Sequence, residues 1–176
     1  MTKNILEWLE ASCLKHPYKI AVADETAEMT YEELVKDAKI LGTKLATYIQ
    51  PRQAVAMYME KGNTTLAAMY GAVYAGGFYS LIDTRQPIGR IEKILEVLNP
   101  NVILSNERFY EEAREKLGPT VNILKVEDII REGNIDENML AGIRKQAAST
   151  DPLYVNFTSG STGVPKGVVV GHGSVI

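Results

Sequence analysis

A single cysteine, Cys13, stands in the whole chain of 176 residues. One thiol excludes an intramolecular disulfide and any multi-cysteine metal site, and it fits a reducing, cytoplasmic compartment. Its place in an amphipathic segment predicts a buried helical position. Excess positive charge is also missing: 19 Lys and Arg are set against 22 Asp and Glu, for a formal net charge of -3. The two signs are interspersed, so no basic field gathers phosphate backbones, and nucleic acid is not an expected partner. There is no internal repeat or low-complexity tract. Met1-Thr2-Lys3-Asn4 runs straight into an amphipathic pattern without the apolar core of a secretory leader.

Long uncharged runs are almost absent, with one exception that tests the soluble reading. Gly62 to Ile82 carries no Asp, Glu, Lys or Arg, and it is about the ~20 residues that a bilayer-crossing helix needs. Asn63, Thr64 and Thr65 open it with polar groups, and Gly76-Gly77 would end a helix within it. A buried helix followed by a buried strand is therefore expected, and no membrane span. At 45% apolar and 23% charged residues, the remainder is ordinary globular composition, enough for one core.

What is present is a regular alternation of strand and helix patterns. Ile5, Leu6, Trp8 and Leu9 place apolar groups on one side of a short helix closed by His16-Pro17. Ile20 to Ala23 and Met29 to Tyr31 read as a hairpin. Thr30 and Glu33 have capping-box spacing, so a helix should begin at Tyr31. Leu34, Ala38, Leu41, Leu45 and Ile49 supply its stripe, and Pro51 its end. Strands follow at 54–59 and 78–82 with a helix over 63–75 between them. Pro87 starts another helix that Asn99-Pro100 stops, and Val102 to Leu104 is the next strand. Asn106 would cap a helix over 107–117, then come a strand at 121–125 and a helical turn at 127–130. Residues 133–150 read as a loosely packed polar connection. Such alternation predicts an α/β fold, a mostly parallel sheet with crossover helices on both faces.

Chemistry is concentrated after the strand Tyr154-Val155-Asn156-Phe157. Thr158, Ser159, Gly160, Ser161, Thr162, Gly163, Val164, Pro165, Lys166 and Gly167 follow in one run. Glycines let backbone N–H groups turn toward a common point, hydroxyls add donors, and a lysine places a compact positive charge beside a polyphosphate. The spacing is not that of the P-loop of kinases and ATPases: Pro165 stands where its second glycine belongs, and Lys166 leads into Gly167 and the β-rich Val168-Val169-Val170. On composition alone, a plain surface turn and an anion-binding loop both remain open.

The order of residues from Thr158 to Gly167 resembles the phosphate-binding signature of the adenylate-forming (AMP-binding) superfamily. Two further segments share the resemblance. Met29-Thr30-Tyr31-Glu32-Glu33-Leu34 is similar to the family's first core motif, and Tyr74-Ala75-Gly76-Gly77-Phe78-Tyr79-Ser80-Leu81-Ile82-Asp83, followed by Pro87 and Arg90, to its second. The chain departs from the second motif at Ser80 and Thr84, where proline is usual, which implies altered local geometry. His172 occupies the place of a histidine often found after the loop, although a lone histidine at a strand end is ordinarily structural.

The resemblance implies that residues 1–176 are the N-terminal part of an AMP-binding domain of the amino-acid-activating kind, as in nonribosomal peptide synthetases and D-alanine carrier-protein ligases. It implies ATP as substrate, with Mg arriving on ATP, and Thr158, Ser159, Gly160, Ser161, Thr162, Gly163 and Lys166 as the residues holding the phosphates. It further implies a small amino acid and a carrier protein with a phosphopantetheine thiol as partners. No catalytic residue and no metal ligand is assigned, since the later family motifs are not in this sequence. The isolated chain is expected to be inactive and prone to self-associate through uncovered sheet surface. Ser174 has the makings of a helix cap, yet only Val175 and Ile176 follow it, which suggests a cut inside an element. A fragment of an acyl-CoA or aryl-CoA ligase, or a non-catalytic nucleotide-binding or interaction module, are the alternatives.

Overall fold

The computed structural model describes residues 4–119 and 121–176, so the start at Met1 to Lys3 lies outside the described residues. Helix α1 (Leu6–Lys15) leads to strands β1 (Ile20–Ala23) and β2 (Glu28–Thr30), an antiparallel hairpin. At the end of β2 the sequence signal is realised atom for atom. Glu33 N–H donates to Thr30 Oγ1 at 3.3 Å, and Thr30 N–H donates to Glu33 Oε2 at 2.8 Å. Two otherwise orphaned donors are satisfied where helix α2 (Tyr31–Leu45) begins, an effect of about 1 kcal/mol.

From β3 (Ala54–Tyr58) the chain alternates through α3 (Asn63–Tyr74), β4 (Phe78–Ile82), α4 (Ile88–Leu98), β5 (Val102–Ser105), α5 (Tyr110–Leu117), β6 (Asn122–Lys125), α6 (Val126–Glu132) and α7 (Glu137–Lys145). It ends in β7 (Pro152–Thr158), β8 (Lys166–Gly171) and a short 3-10 turn, His172–Ser174. The main sheet has the order β6-β5-β3-β4-β7-β8. Every pairing in it is parallel except β7 with β8, which is antiparallel. This is the mostly parallel α/β architecture that the alternation predicts.

Period-2 side-chain alternation divides the core. Val55, Met57, Val102 and Leu104 face one cluster with residues of α1, α2, α3, α6 and α7. Ala56, Tyr58 and Ile103 face the other, with Ile91 and Ile94 of α4 and Ala113 and Leu117 of α5. Helices α2 and α3 meet almost backbone to backbone: a Cβ on Gly42 would lie 2.5 Å from Tyr74 Cβ, and one on Gly71 2.6 Å from Leu41 Cβ. The uncharged stretch resolves into α3, a turn and β4. Gly76 takes φ +78, and the N–H groups of Gly76 and Gly77 donate to the carbonyls of Val73 and Ala72 at 2.9 Å each. That is a Schellman ending, and it converts helix into strand within two residues. No helix of the described residues is long and apolar enough to cross a membrane.

Several local expectations are corrected. Helix α2 stops at Leu45 rather than running to Pro51, because Thr47 Oγ1 donates to the Lys44 carbonyl at 2.7 Å and the chain loosens into turns, although Ile49 stays buried. Asn106 caps a turn and not the helix: its Oδ1 accepts from Phe109 N–H at 3.2 Å, and α5 starts one residue later. Pro87 precedes α4 as its cap rather than opening it. Trp8 points outward at 48% exposure, and Cys13 is half-buried on α1. The segment read as a loose connection contains a real helix. Asp136 Oδ1 accepts from Met139 N–H at 2.9 Å to start α7, whose Leu140 is buried.

Candidate active site around the loop between β7 and β8

The hydroxyl- and glycine-rich run forms the tip of a hairpin at the C-terminal end of β7. Phe157 pairs with Gly167 and Thr158 with Lys166, so the last two rungs fix the base of the loop. Across its mouth, Gly163 N–H donates to the Gly160 carbonyl at 3.1 Å. The two glycines are required for different reasons. Gly163 has φ +76 with open space around its missing Cβ, whereas a Cβ on Gly160 would lie 2.2 Å from the Val164 carbonyl oxygen. One serves handedness and the other close approach.

The side chains of Thr158, Ser159, Ser161, Thr162 and Lys166 are exposed, Gly160 is half-buried, and Pro165 is buried beneath the turn. Lys166 enters none of the ion pairs of the described residues. All seven residues singled out from the sequence thus lie in one continuous loop, with four hydroxyls and one ammonium free to meet an anion. Strand, loop, strand is the order inferred from the sequence, and the antiparallel sense of the second strand is added by the structure. The loop does not open a helix and so differs from the P-loop of kinases and ATPases.

The loop sits on the edge of the sheet where β3 and β4 also end. At the C-terminal ends of those two paired strands lies a crevice of about 530 Å³, lined by Met59, Glu60, Lys61 and Leu81 to Arg85 and by none of the loop residues. Arg85 pairs there with Asp83 at 3.1 Å, which holds the Asp83 carboxyl below its usual range, and Arg108 pairs with Glu60. No motif in the sequence marks this crevice. It is built by the segments that leave β3 and β4, which lie side by side only because those strands pair in the sheet.

The seam that carries β7 is narrow. β4 and β7 share one register pair, Tyr79 with Tyr154, whose rings stack at 5.8 Å and 27°. Burial pushes the Tyr79 phenol up to about 12. Ser80, where proline is usual, is 1% exposed, and its Oγ donates to the Val155 carbonyl at 2.9 Å. His172 beyond β8 is buried at 2% exposure, and its Nδ1 accepts from Ile5 N–H at 3.4 Å. Burial lowers its pKa. It ties the end of the chain to the start of α1, a structural position.

The sequence profile described as AMP-binding enzyme matches residues 9–176. The chain belongs to the AMP-binding enzyme family. Within that adenylate-forming family its relatives include the nonribosomal peptide synthetase fmqA of Aspergillus fumigatus, 37% identical over 173 residues that cover 96% of this chain and 4% of fmqA. The nonribosomal peptide synthase roqA of Penicillium rubens is 33% identical over 162 residues, covering 91% of this chain and 7% of roqA. Among solved structures, the nonribosomal peptide synthetase FmoA3, in its alpha-methyl-L-serine-AMP bound form, superposes with a TM-score of 0.82 at 30% identity over 96% of this chain and 18% of that one. The N-terminal subdomain of Klebsiella oxytoca NpsA, in complex with 3-hydroxybenzoyl-AMSN, shares the fold with a TM-score of 0.76 at 20% identity, over 97% of this chain and 41% of that one. This AMP-binding chain therefore spans a small share of the length of the relatives it matches, 4% of fmqA and 7% of roqA.

Proposed function

We propose that residues 1–176 form the N-terminal part of the AMP-binding domain of an ATP-dependent ligase, and that the β7–β8 loop grips the polyphosphate of ATP. The parent enzyme activates an amino-acid carboxylate: a carboxylate oxygen attacks the α-phosphorus, the bond to pyrophosphate breaks, and the acyl-adenylate passes to the phosphopantetheine thiol of a carrier protein. The share of this chain belongs to the leaving group. Backbone N–H groups gathered by Gly160 and Gly163 and the hydroxyls of Thr158, Ser159, Ser161 and Thr162 supply donors. Lys166 supplies the charge that stabilises pyrophosphate as it departs.

The observation that carries this reading is the pairing of Thr158 with Lys166 under a turn locked by Gly160 and Gly163. It sets the ammonium and the hydroxyls on one exposed rim. The donor set fits a polyphosphate. It does not fit a protein-held metal, since no cluster of three or more His, Cys, Asp or Glu that could hold an ion occurs among the described residues. Mg would arrive on the phosphate oxygens of ATP. In this reading the 176 residues contribute phosphate binding, and on their own they are expected to bind ATP without turning it over. FmoA3 in its alpha-methyl-L-serine-AMP bound form, at 30% identity, supports an amino acid as the activated carboxylate, whereas NpsA with its 3-hydroxybenzoyl ligand, at 20%, bears on the fold alone.

Calorimetry with ATP and with pyrophosphate on this chain and on a Lys166→Ala, Thr162→Ala variant tests the assignment. Binding by the parent and its loss in the variant are expected. Equal binding by both would remove the loop from the site, and no binding by the parent would make the chain a scaffold whose loop is completed elsewhere.

A further inference from the structure

The proposed phosphate loop hangs from β7, which has six register pairs with β8 but the shortest parallel pairing in the sheet, with β4. β3 shares five register pairs with β4 and four with β5, but β4 and β7 share only one. Besides apolar packing of Tyr79 and Leu81 with Leu153 and Tyr154 in one cluster, a side-chain hydrogen bond joins them. The Ser80 hydroxyl, itself 1% exposed, donates to the main-chain carbonyl of Val155 at 2.9 Å. Val155 pairs on its other side with Val169 of β8, and three residues later β7 reaches Thr158 and the loop. A proline at position 80 has no donor and could not make this bond.

From this geometry we infer that Ser80 is a positioning residue: its hydroxyl sets the sliding position of β7 against β4 and thereby the placement of the Thr158 to Lys166 loop. The assignment rests on the proposed role of that loop only for its effect on ATP. The structural claim stands on the seam. A parallel pair with a single rung has little to stop one strand shifting along the other, and a buried directional bond to a carbonyl supplies that restraint. Because Tyr79 and Ser80 are neighbours in one strand, the stack acts on one face while the hydroxyl acts across the seam.

The test is amide hydrogen exchange on the nucleotide-free chain, comparing the parent with Ser80→Ala and Ser80→Thr. Ser80→Ala should accelerate exchange of the paired β7 and β8 amides, from Val155 to Phe157 and from Gly167 to Val169, by about fivefold, the factor carried by one buried hydrogen bond. The amides of β3 and β5 should stay as they were. Ser80→Thr keeps the hydroxyl and should restore protection. If Ser80 merely fills space, alanine will be tolerated and threonine, with its added methyl, will be the worse substitution. Uniform acceleration across the sheet, no change, or that reversed order would each overturn the assignment. ATP affinity measured on the same proteins should fall about fivefold in Ser80→Ala and recover in Ser80→Thr. Failure of the parent to bind ATP would count against the phosphate-loop reading alone, since exchange still decides the role of Ser80.

Discussion

Replacing Gly160 by alanine isolates one contact at the heart of the loop. The added Cβ would stand 2.2 Å from the Val164 carbonyl oxygen, where ordinary contact begins at 3.4 Å. The obstacle is backbone, so relief requires the turn to open by about 1 Å, and the donors proposed to meet a polyphosphate move with it. Misplacement of that size costs up to about a hundredfold when several donors must converge. A loss of ATP affinity between about tenfold and a hundredfold, or ~1.4–2.8 kcal/mol, is expected by calorimetry. Stability should fall by less than affinity does, because the loop side chains other than Pro165 are exposed. Gly163→Ala is the internal control. Its Cβ meets open space, so only the φ of +76 opposes it, a cost of about 1–2 kcal/mol that does not by itself open the loop. Gly160→Ala binding ATP as tightly as the parent, or losing thermal stability in step with affinity, would refute the argument.

Three other outcomes follow from the fold. Gly71→Ala drives a Cβ to 2.6 Å from Leu41 Cβ between α3 and α2. The overpacking of about 1–3 kcal/mol exceeds the ~1 kcal/mol that alanine gains in a helix, and urea unfolding should show a net loss of about 1–2 kcal/mol. Burial holds the His172 imidazole below its ordinary pKa, so the unfolded chain takes up a proton that the folded one refuses. Stability should be intact above about pH 6.5 and decline as the pH falls below it. A His172→Gln variant should lack that part of the decline in thermal melts between about pH 7 and 5. Strand β8 is a sheet edge with Val168 at 51% and Val169 at 62% exposure. Sedimentation at micromolar concentration should show the parent self-associating and Val169→Lys, which puts a charge on that edge, dissociated; a monomeric parent would sink this expectation.

Legibility in the sequence tracked distance along the chain. The Thr30–Glu33 box, the Gly76-Gly77 ending and the loop from Thr158 to Lys166 each depend on residues within ten positions of one another, and all three stand where their residue types place them. Helix α7 is hard to read in the sequence because its apolar stripe is thin and its start depends on Asp136 turning inward to meet Met139 N–H. The outward turn of Trp8 is equally hidden, since nothing local says which side of a short helix will find a partner.

The sequence by itself determined the alternating elements, the α/β class and a loop whose hydroxyls, glycines and lysine suit a polyphosphate, because propensity, capping and backbone freedom act over a few bonds. Only the tertiary structure decided that α3 and α4 cover opposite faces and that a crevice lies at the ends of β3 and β4. It alone decided that Gly160 abuts the Val164 carbonyl, and that Ser80 reaches a carbonyl 75 residues away. Those contacts depend on strand order and register, which emerge when distant segments bury their apolar faces together, and no stretch of the chain carries them alone.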